Sequence, residues 1–268
     1  MYSLGIDLGA STIKVVRLQE NEVVYKEIRR HYGRILPVLK EMLSIACQDP
    51  EEWMAVGVTG SNARILMEEE PSVFYLGDIP AVTEGVKFLQ PGSGSVIEIG
   101  SQGARFITNL QEKAPDFAVN EHCAGGTGSF FEDQMSRLGM KMEDYSDVVR
   151  QARSIPRLSG RCAVFAKTDI IHRQQEGVTT PDILLGLCYA MIRNYKATIV
   201  KNLPVKKPVV FTGGVTENAG MGQAIREVFG LSEEELVIPE LARFSGAIGV
   251  AVHAYQKAFE WCSKEEAS

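Results

Sequence analysis

No stretch of this chain is long and apolar enough to span a bilayer, and no run of lysine or arginine marks a nucleic-acid surface or a basic membrane anchor. With 28 Lys and Arg against 34 Asp and Glu, the formal charge is -6. Small acidic ligands or proteins are therefore the expected partners, with no nucleic acid and no membrane. Neither GxxxxGK[ST] nor GxGxxG occurs, which excludes the P-loop and the dinucleotide fingerprint. Met1 leads straight into the apolar alternation of YSLGIDLGAS without a basic segment, signal core or small-residue cleavage site, so a cytoplasmic protein is expected. Five cysteines, an odd count, argue against a disulfide framework and for a reducing compartment.

What is present suits a globular α/β protein. At 268 residues with 45% apolar content, the chain exceeds one ordinary core and fits two lobes. Period-two alternation predicts strands over Tyr2 to Leu8, Ile13 to Gln19 and Glu22 to Arg29, with Glu20-Asn21 turning the second hairpin. This is an antiparallel opening, not a strand feeding a Rossmann helix. Ile35, Leu36, Leu39, Met42, Leu43 and Ala46 recur at helical spacing, and a strand over Met54 to Val58 follows. Helices are expected over 62–69 and 81–89. Pro91-Gly92-Ser93-Gly94 is the clearest linker-like break. Beyond it the strand, glycine turn, strand pattern repeats over Ser95 to Ile99 and Ala104 to Asn109, so the chain begins a second time. Helices near 128–138, 162–175, 181–202, 218–229 and 245–262 follow, with strands at 208–212 and 236–238. Glu233-Glu234-Glu235 reads as a solvated helix start, and Lys167 and Asp169 as facing a partner or water.

Three turns carry the chemistry. In Asp7-Leu8-Gly9-Ala10-Ser11-Thr12-Ile13-Lys14 and in Glu98-Ile99-Gly100-Ser101-Gln102-Gly103, small residues let backbone N–H groups approach phosphate oxygens, and hydroxyls or a lysine add donors and charge. Asp7, at a strand end, suits hydrated Mg²⁺, which keeps several waters and takes few carboxylates. Glu98 and Gln102 are the candidates for positioning attacking water. In Thr212-Gly213-Gly214-Val215-Thr216-Glu217-Asn218, the double glycine ahead of a helix lets a flat adenine ring lie against the backbone, with Asn218 a further nucleoside contact.

Cys123 in NEHCAGGTGSFF and Cys162 in LSGRCAVFAKTD each stand at the threshold of an expected helix. There the helix dipole and unpaired N–H groups favour a thiolate, hence a metal ligand or redox group. Two thiolates are half of a four-cysteine iron–sulfur site, which the same pair from a second copy would complete. Cys188 differs. It shares one helical stripe with Leu184, Leu187, Met191, Ile192 and Tyr195, the pattern of core packing, and no chemistry is assigned to Cys47 or Cys262.

The ordered set of turns resembles the actin, hexokinase and Hsp70-like (ASKHA, ribonuclease H-like) ATPases. Within that superfamily, NEHCAGGTGSFF and GRCAVFAKTDII make the chain similar to the activator ATPases of 2-hydroxyacyl-CoA dehydratases and benzoyl-CoA reductases. The resemblance covers nearly the whole length. It implies an α/β fold of two lobes with duplicated mixed sheets that clamp ATP between them. One lobe would hold residues 1–92 with a C-terminal helix from about 247 to 268. The other would hold 93–246 and carry the cysteines and the adenosine turn. It implies that Gly9, Ala10, Ser11, Thr12, Lys14, Gly100, Ser101, Gly213, Gly214, Val215 and Asn218 contact the nucleotide. It further implies one [4Fe–4S] cluster held by Cys123 and Cys162 of two identical subunits in a homodimer. Single low-potential electrons, from reduced ferredoxin or flavodoxin, would pass to a separate iron–sulfur acceptor. A change in lobe angle on hydrolysis would move the cluster-facing helices.

The second turn departs from the family pattern, which has Asp where Glu98 stands and Gly-Gln-Asp where Ser101-Gln102-Gly103 stands. The departure points to a subfamily with another acceptor, such as a double-cubane iron–sulfur protein. Two other readings stay open at this level. A small-molecule kinase of the same superfamily needs a catalytic base that the sequence does not display. A nucleotide-sensing protein without turnover draws support from the substitutions at 98 and 103.

Overall fold

The structure, a computed structural model, describes residues 2–20, 22–47, 53–120, 127–141, 144–159 and 163–265. The chain divides into two compact units, one of residues 1–91 with 241–268 and one of residues 92–240.

In the first unit, β1 (Tyr2–Leu8), β2 (Thr12–Gln19) and β3 (Glu22–Arg30) form an antiparallel meander. Helix α1 (Ile35–Ala46) then carries the chain to β4 (Trp53–Thr59), which pairs parallel to β1. After α2 (Ala63–Glu69) comes the two-residue strand β5 (Phe74–Tyr75), giving the order β3-β2-β1-β4-β5. Leu4, Ile6 and Leu8 are buried with Ile13, Val15, Leu39 and Met42, so the face of the sheet under α1 is apolar. The opposite face is covered by α9 (Ser245–Glu265), which returns from the far end of the chain, and α3 (Asp78–Leu89) packs against α9. Close approach dictates the residues here. A Cβ on Gly5 of β1 would overlap the Ala247 carbonyl, and one on Gly249 of α9 would overlap the Ala81 carbonyl of α3. Glycine therefore lets α9 lie against strand and helix at once.

The second unit repeats the plan. β6 (Ser95–Ile99), β7 (Ala104–Thr108) and β8 (Asp116–Val119) run antiparallel, while β9 (Val209–Thr212) and β10 (Leu236–Val237) continue on the parallel side. The order β8-β7-β6-β9-β10 matches the first sheet strand for strand. Between β8 and β9 lie α4 (Gly128–Arg137), α5 (Tyr145–Val149), α6 (Ala163–Gln175) and α7 (Thr180–Tyr195), with α8 (Ala219–Phe229) after β9. Apolar on nearly every side, α7 is the buried central helix, as the all-round hydrophobic pattern requires. Its Ile183, Leu184, Leu187 and Met191 share one core with Phe131 of α4 and Tyr145 of α5, the last two edge to face at 5.5 Å.

Several sequence expectations change. The helix expected over 181–202 ends as α7 at Tyr195 and continues as one wider π turn, Lys196–Val200, closed by Lys201 at φ 50°. Glu233–Glu235 form a turn, not a helix start. The Glu235 carboxylate accepts the Ser232 N–H at 2.9 Å and Ser232 Oγ accepts the Glu235 N–H at 3.2 Å, a reciprocal cap that closes one turn before β10 extends the backbone. Asp169, half-buried, accepts the Ser159 N–H through its Oδ2 at 2.7 Å. β5, β8 and α5 are additions, hidden from the pattern by their shortness and, for β8, by exposure.

Candidate functional site

The duplicated hairpins place the same chemistry in each unit. Gly9 N–H donates to the Thr12 carbonyl at 3.1 Å, and Gly100 N–H donates to the Gly103 carbonyl at 2.8 Å. Each bond fixes the register below it, so residues seven apart stand directly opposite: Asp7 against Lys14, Glu98 against Arg105. Opposed side chains on one face of an antiparallel pair are within reach of each other. Accordingly Lys14 Nζ donates to Asp7 Oδ2 at 2.7 Å and Arg105 Nη1 to Glu98 Oε2 at 2.6 Å. Both pairs are largely withdrawn from water, with side-chain exposures of 13% for Lys14, 16% for Asp7, 21% for Arg105 and 12% for Glu98. Ala10 and Gln102, at the turn tips, are exposed.

Three glycines stand close around the Asp7 carboxylate. A Cβ on Gly246 would lie 3.5 Å from Oδ2, one on Gly9 3.7 Å from Oδ1, and one on Gly60 would intrude to 2.6 Å from Oδ1. Gly60 also sits at φ +99°, a conformation that glycine adopts without strain. Thr59, opposite Asp7 on the parallel strand β4, is 2% exposed, and its hydroxyl has no hydrogen-bond partner among the described residues. A single carboxylate with one oxygen engaged by Lys14 fits a hydrated Mg²⁺, which takes few carboxylate contacts and keeps its waters.

In the second unit, β9 pairs parallel to β6 with Thr212 opposite Glu98, which brings the expected nucleoside turn to the expected phosphate turn. Gly213, at φ +102°, presses on Ile99 so closely that a Cβ would overlap its carbonyl. Thr216 Oγ1 donates to the Gly213 carbonyl at 3.0 Å and Asn218 N–H to the Val215 carbonyl at 3.1 Å. Gly214 is exposed, whereas Val215 and Asn218 are buried. The Asn218 side chain caps α8, its Oδ1 accepting the Gly220 N–H at 3.0 Å. Ser146 of α5 holds the same loop through the Glu217 carbonyl at 2.5 Å and the Ala219 N–H at 3.2 Å.

Sequence reasoning missed the groups that brace these turns. Gly100 and Ser101 carbonyls accept the N–H groups of Gly128 and Ser129, the first residues of α4, at 2.8 and 2.9 Å. Tyr195, fully enclosed at the end of α7, donates its hydroxyl to the Arg105 carbonyl at 2.6 Å. Burial first, and then the Glu98 charge, raise that phenol well above its ordinary range, so it remains a donor. His31 and Asn62 brace the first turn. Nothing in their local sequence marks them, because each reaches the turn from another element.

Cys123 and Cys162 lie outside the described residues. Cys188 is a core side chain: Tyr145 Oη stands 3.1 Å from its sulfur, and burial pushes its thiol up to about 12. Cys47 is half-buried at the end of α1, its thiol raised by burial against the opposing pull of Arg17. No described helix is long and apolar enough to cross a membrane.

Residues 4–254 match the model of the BadF/BadG/BcrA/BcrD ATPase family. The chain belongs to that family. Its sequence is 28% identical, over 96% of this chain and 98% of the relative, to the (R)-2-hydroxyglutaryl-CoA dehydratase activating ATPase of Acidaminococcus fermentans. Its fold is similar, at a TM-score of 0.87 and 24% identity over 98% of both chains, to the activator of the 2-hydroxyisocaproyl-CoA dehydratase from Clostridium difficile, solved with bound ADPNP. A ROK family glucokinase from Streptomyces griseus, solved with glucose and AMPPNP, shares the fold at a TM-score of 0.57 and 12% identity, covering 96% of this chain and 100% of its own. The fold of this family member is thus the α/β actin and hexokinase-like one, with the duplicated mixed sheets described above.

Proposed function

We propose that this chain is an ATP-dependent activator. It hydrolyses ATP to drive single low-potential electrons from a [4Fe–4S] cluster, shared by two copies, into a partner iron–sulfur enzyme of the dehydratase, benzoyl-CoA reductase or double-cubane type. The observation that carries the ATPase part is the repeated hairpin with an acid–base pair at its neck, Asp7–Lys14 and Glu98–Arg105. Family membership and the full-length similarity to an activating ATPase support the rest.

The roles follow from the geometry. Ala10, Ser11 and Thr12 present small residues and hydroxyls at the first turn, and Lys14, already beside Asp7, brings a cation to phosphate oxygens. Asp7, a strand-end carboxylate with glycines close beside it, is suited to hold Mg²⁺ through its waters, and when bound that ion would screen phosphate charge. Glu98, oriented by Arg105, and the exposed Gln102 orient the attacking water. Gly213 and Gly214 offer a flat backbone surface to the nucleoside. The cluster rests on the sequence positions of Cys123 and Cys162, reduced ferredoxin or flavodoxin being the proposed donor.

Anaerobic purification tests both halves. The protein is expected to be brown and dimeric, with iron and sulfide scaling to one cluster per dimer, and to release phosphate from ATP under dithionite without a phosphorylated organic product. Cys123→Ser should abolish iron while sparing nucleotide binding. Colourless monomer after reconstitution would sink the cluster, and a phosphorylated small molecule would replace the activator with a kinase.

A further inference from the structure

The carbonyl of Gly9 receives two side-chain donors from two different elements. Asn62 Nδ2 donates to it at 2.9 Å, while the Asn62 backbone N–H donates to the preceding Leu8 carbonyl at 2.9 Å. His31 Nε2 lies 3.2 Å from the same Gly9 oxygen. The His31 tautomer is settled by its other nitrogen: Nδ1 accepts the Gly33 N–H at 3.1 Å, so the proton is on Nε2 and points at Gly9. Histidine here is 6% exposed, and its own N–H donates to the Ser11 carbonyl at 3.3 Å, within the same turn.

Asn62 occupies an unusual position for such work. It stands at the N-cap of α2, where an asparagine oxygen ordinarily accepts an amide from the first helical turn, yet it makes no cap hydrogen bond. Its side chain is turned away from its own helix and toward the β1–β2 turn. The helix start forgoes a stabilising cap in favour of the Gly9 contact.

A carbonyl has two lone pairs, and two donors fill both. In a trans peptide the N–H of the next residue points opposite to the carbonyl. With the Gly9 oxygen drawn toward His31 and Asn62, the Ala10 N–H faces the other way, at a residue that is exposed. A flip of that plane would break both bonds to the Gly9 oxygen, while the Gly9 N–H, which belongs to the preceding peptide, stays bonded to the Thr12 carbonyl.

We infer that His31 and Asn62 are positioning residues that lock the Gly9–Ala10 peptide so that the Ala10 N–H is aimed at the terminal phosphate oxygens of a nucleoside polyphosphate. The inference rests on the nucleotide reading above and adds the selector within it. The pair would favour nucleotides bearing β- and γ-phosphates over the monophosphate and the nucleoside, since only the former carry the terminal phosphate that the Ala10 N–H would take.

Titration of ADPNP, AMP and adenosine against the full-length wild type, Asn62→Asp, His31→Leu and His31→Gln tests it. Asn62→Asp keeps the shape but sets an oxygen against the Gly9 oxygen, and His31→Leu removes the second donor. Each is expected to weaken ADPNP by about tenfold, the loss of one well-placed hydrogen bond, and to leave AMP and adenosine within about twofold on the same scale. His31→Gln, which returns an N–H near the Nε2 position, should restore most of the ADPNP affinity. A uniform loss across all three ligands, or no loss for ADPNP in either donor-deleting variant, overturns the inference. If one variant fails to fold, the other decides on the same criterion. A wild type that binds none of the three ligands would overturn the nucleotide reading itself, and this inference with it.

Discussion

Removing the Glu98–Arg105 pair is the sharpest test of how the second hairpin is held. The hydrogen-bonded ion pair spans 2.6 Å, and with 12% of the Glu98 side chain exposed the carboxylate is mostly desolvated. Fully exposed pairs contribute about 0–1 kcal/mol, whereas removing one partner of a buried pair costs about 3–5 kcal/mol because the other charge is stranded. This pair lies between, so Arg105→Met should destabilise by about 2–3 kcal/mol. Glu98→Gln should cost less, about 1 kcal/mol, because the amide oxygen still accepts from Arg105. In the double variant no charge is stranded, and the coupling from the cycle is expected near 1.5–2 kcal/mol. Both tryptophans, Trp53 and Trp261, lie in the first unit. Circular dichroism or hydrogen exchange of β6 and β7 amides, not tryptophan fluorescence, is therefore the readout. If Glu98 orients water, Glu98→Gln also lowers kcat for ATP by about 10²–10⁴-fold with KM little changed. A coupling below about 0.5 kcal/mol would place the pair among inert surface contacts and refute the reasoning.

Gly128→Ala should destabilise by about 1–2 kcal/mol, because the new methyl would lie 3.2 Å from the Gly100 carbonyl oxygen, 3.2 Å from Val215 and 3.3 Å from Ser101. Two of those neighbours are backbone of the phosphate turn and do not yield, so a stabilised variant in urea melts would contradict the packing. Asp182 tests pH dependence. Its carboxyl is held below the ordinary value by the Ser154 N–H first, with the Arg153 N–H and the Thr179 hydroxyl adding to the effect. A depressed folded-state value means stability present above the unfolded value and lost as pH falls through the folded one. Asp182→Ala should therefore be less stable than wild type at neutral pH, and the gap in urea midpoints should close on acidification below the ordinary value of 3.8. A gap that is constant with pH would remove the carboxylate from the account.

The elements that could be read from the residues are those with strong periodicity. β1, β2 and β6 alternate or run apolar between glycine turns, and α1 and α9 carry long helical stripes. β8 was hidden because its Phe117 and Val119 are exposed at a sheet edge and two turns of polar residues precede it. β5 has two residues and exists only because β4 offers it a parallel edge. Glu233–Glu235 carried a helical composition, but Leu236 and Val237 were claimed by β9, and sheet pairing outweighed local propensity.

The amino-acid sequence alone determined the two strand-turn-strand repeats and the glycines that let turns bend. These are local properties, written in neighbouring residues and in the period of a pleat. Only the tertiary structure decided which distant groups brace the turns: His31 and Asn62 on Gly9, Gly128 on Gly100, Tyr195 on Arg105. The physical reason is that a hydrogen bond joins atoms within about 3 Å whatever their separation along the chain. That proximity arises where the segment after β3 and the starts of α2 and α4 meet the turns and the end of α7 meets β7, and no local pattern of residues encodes it.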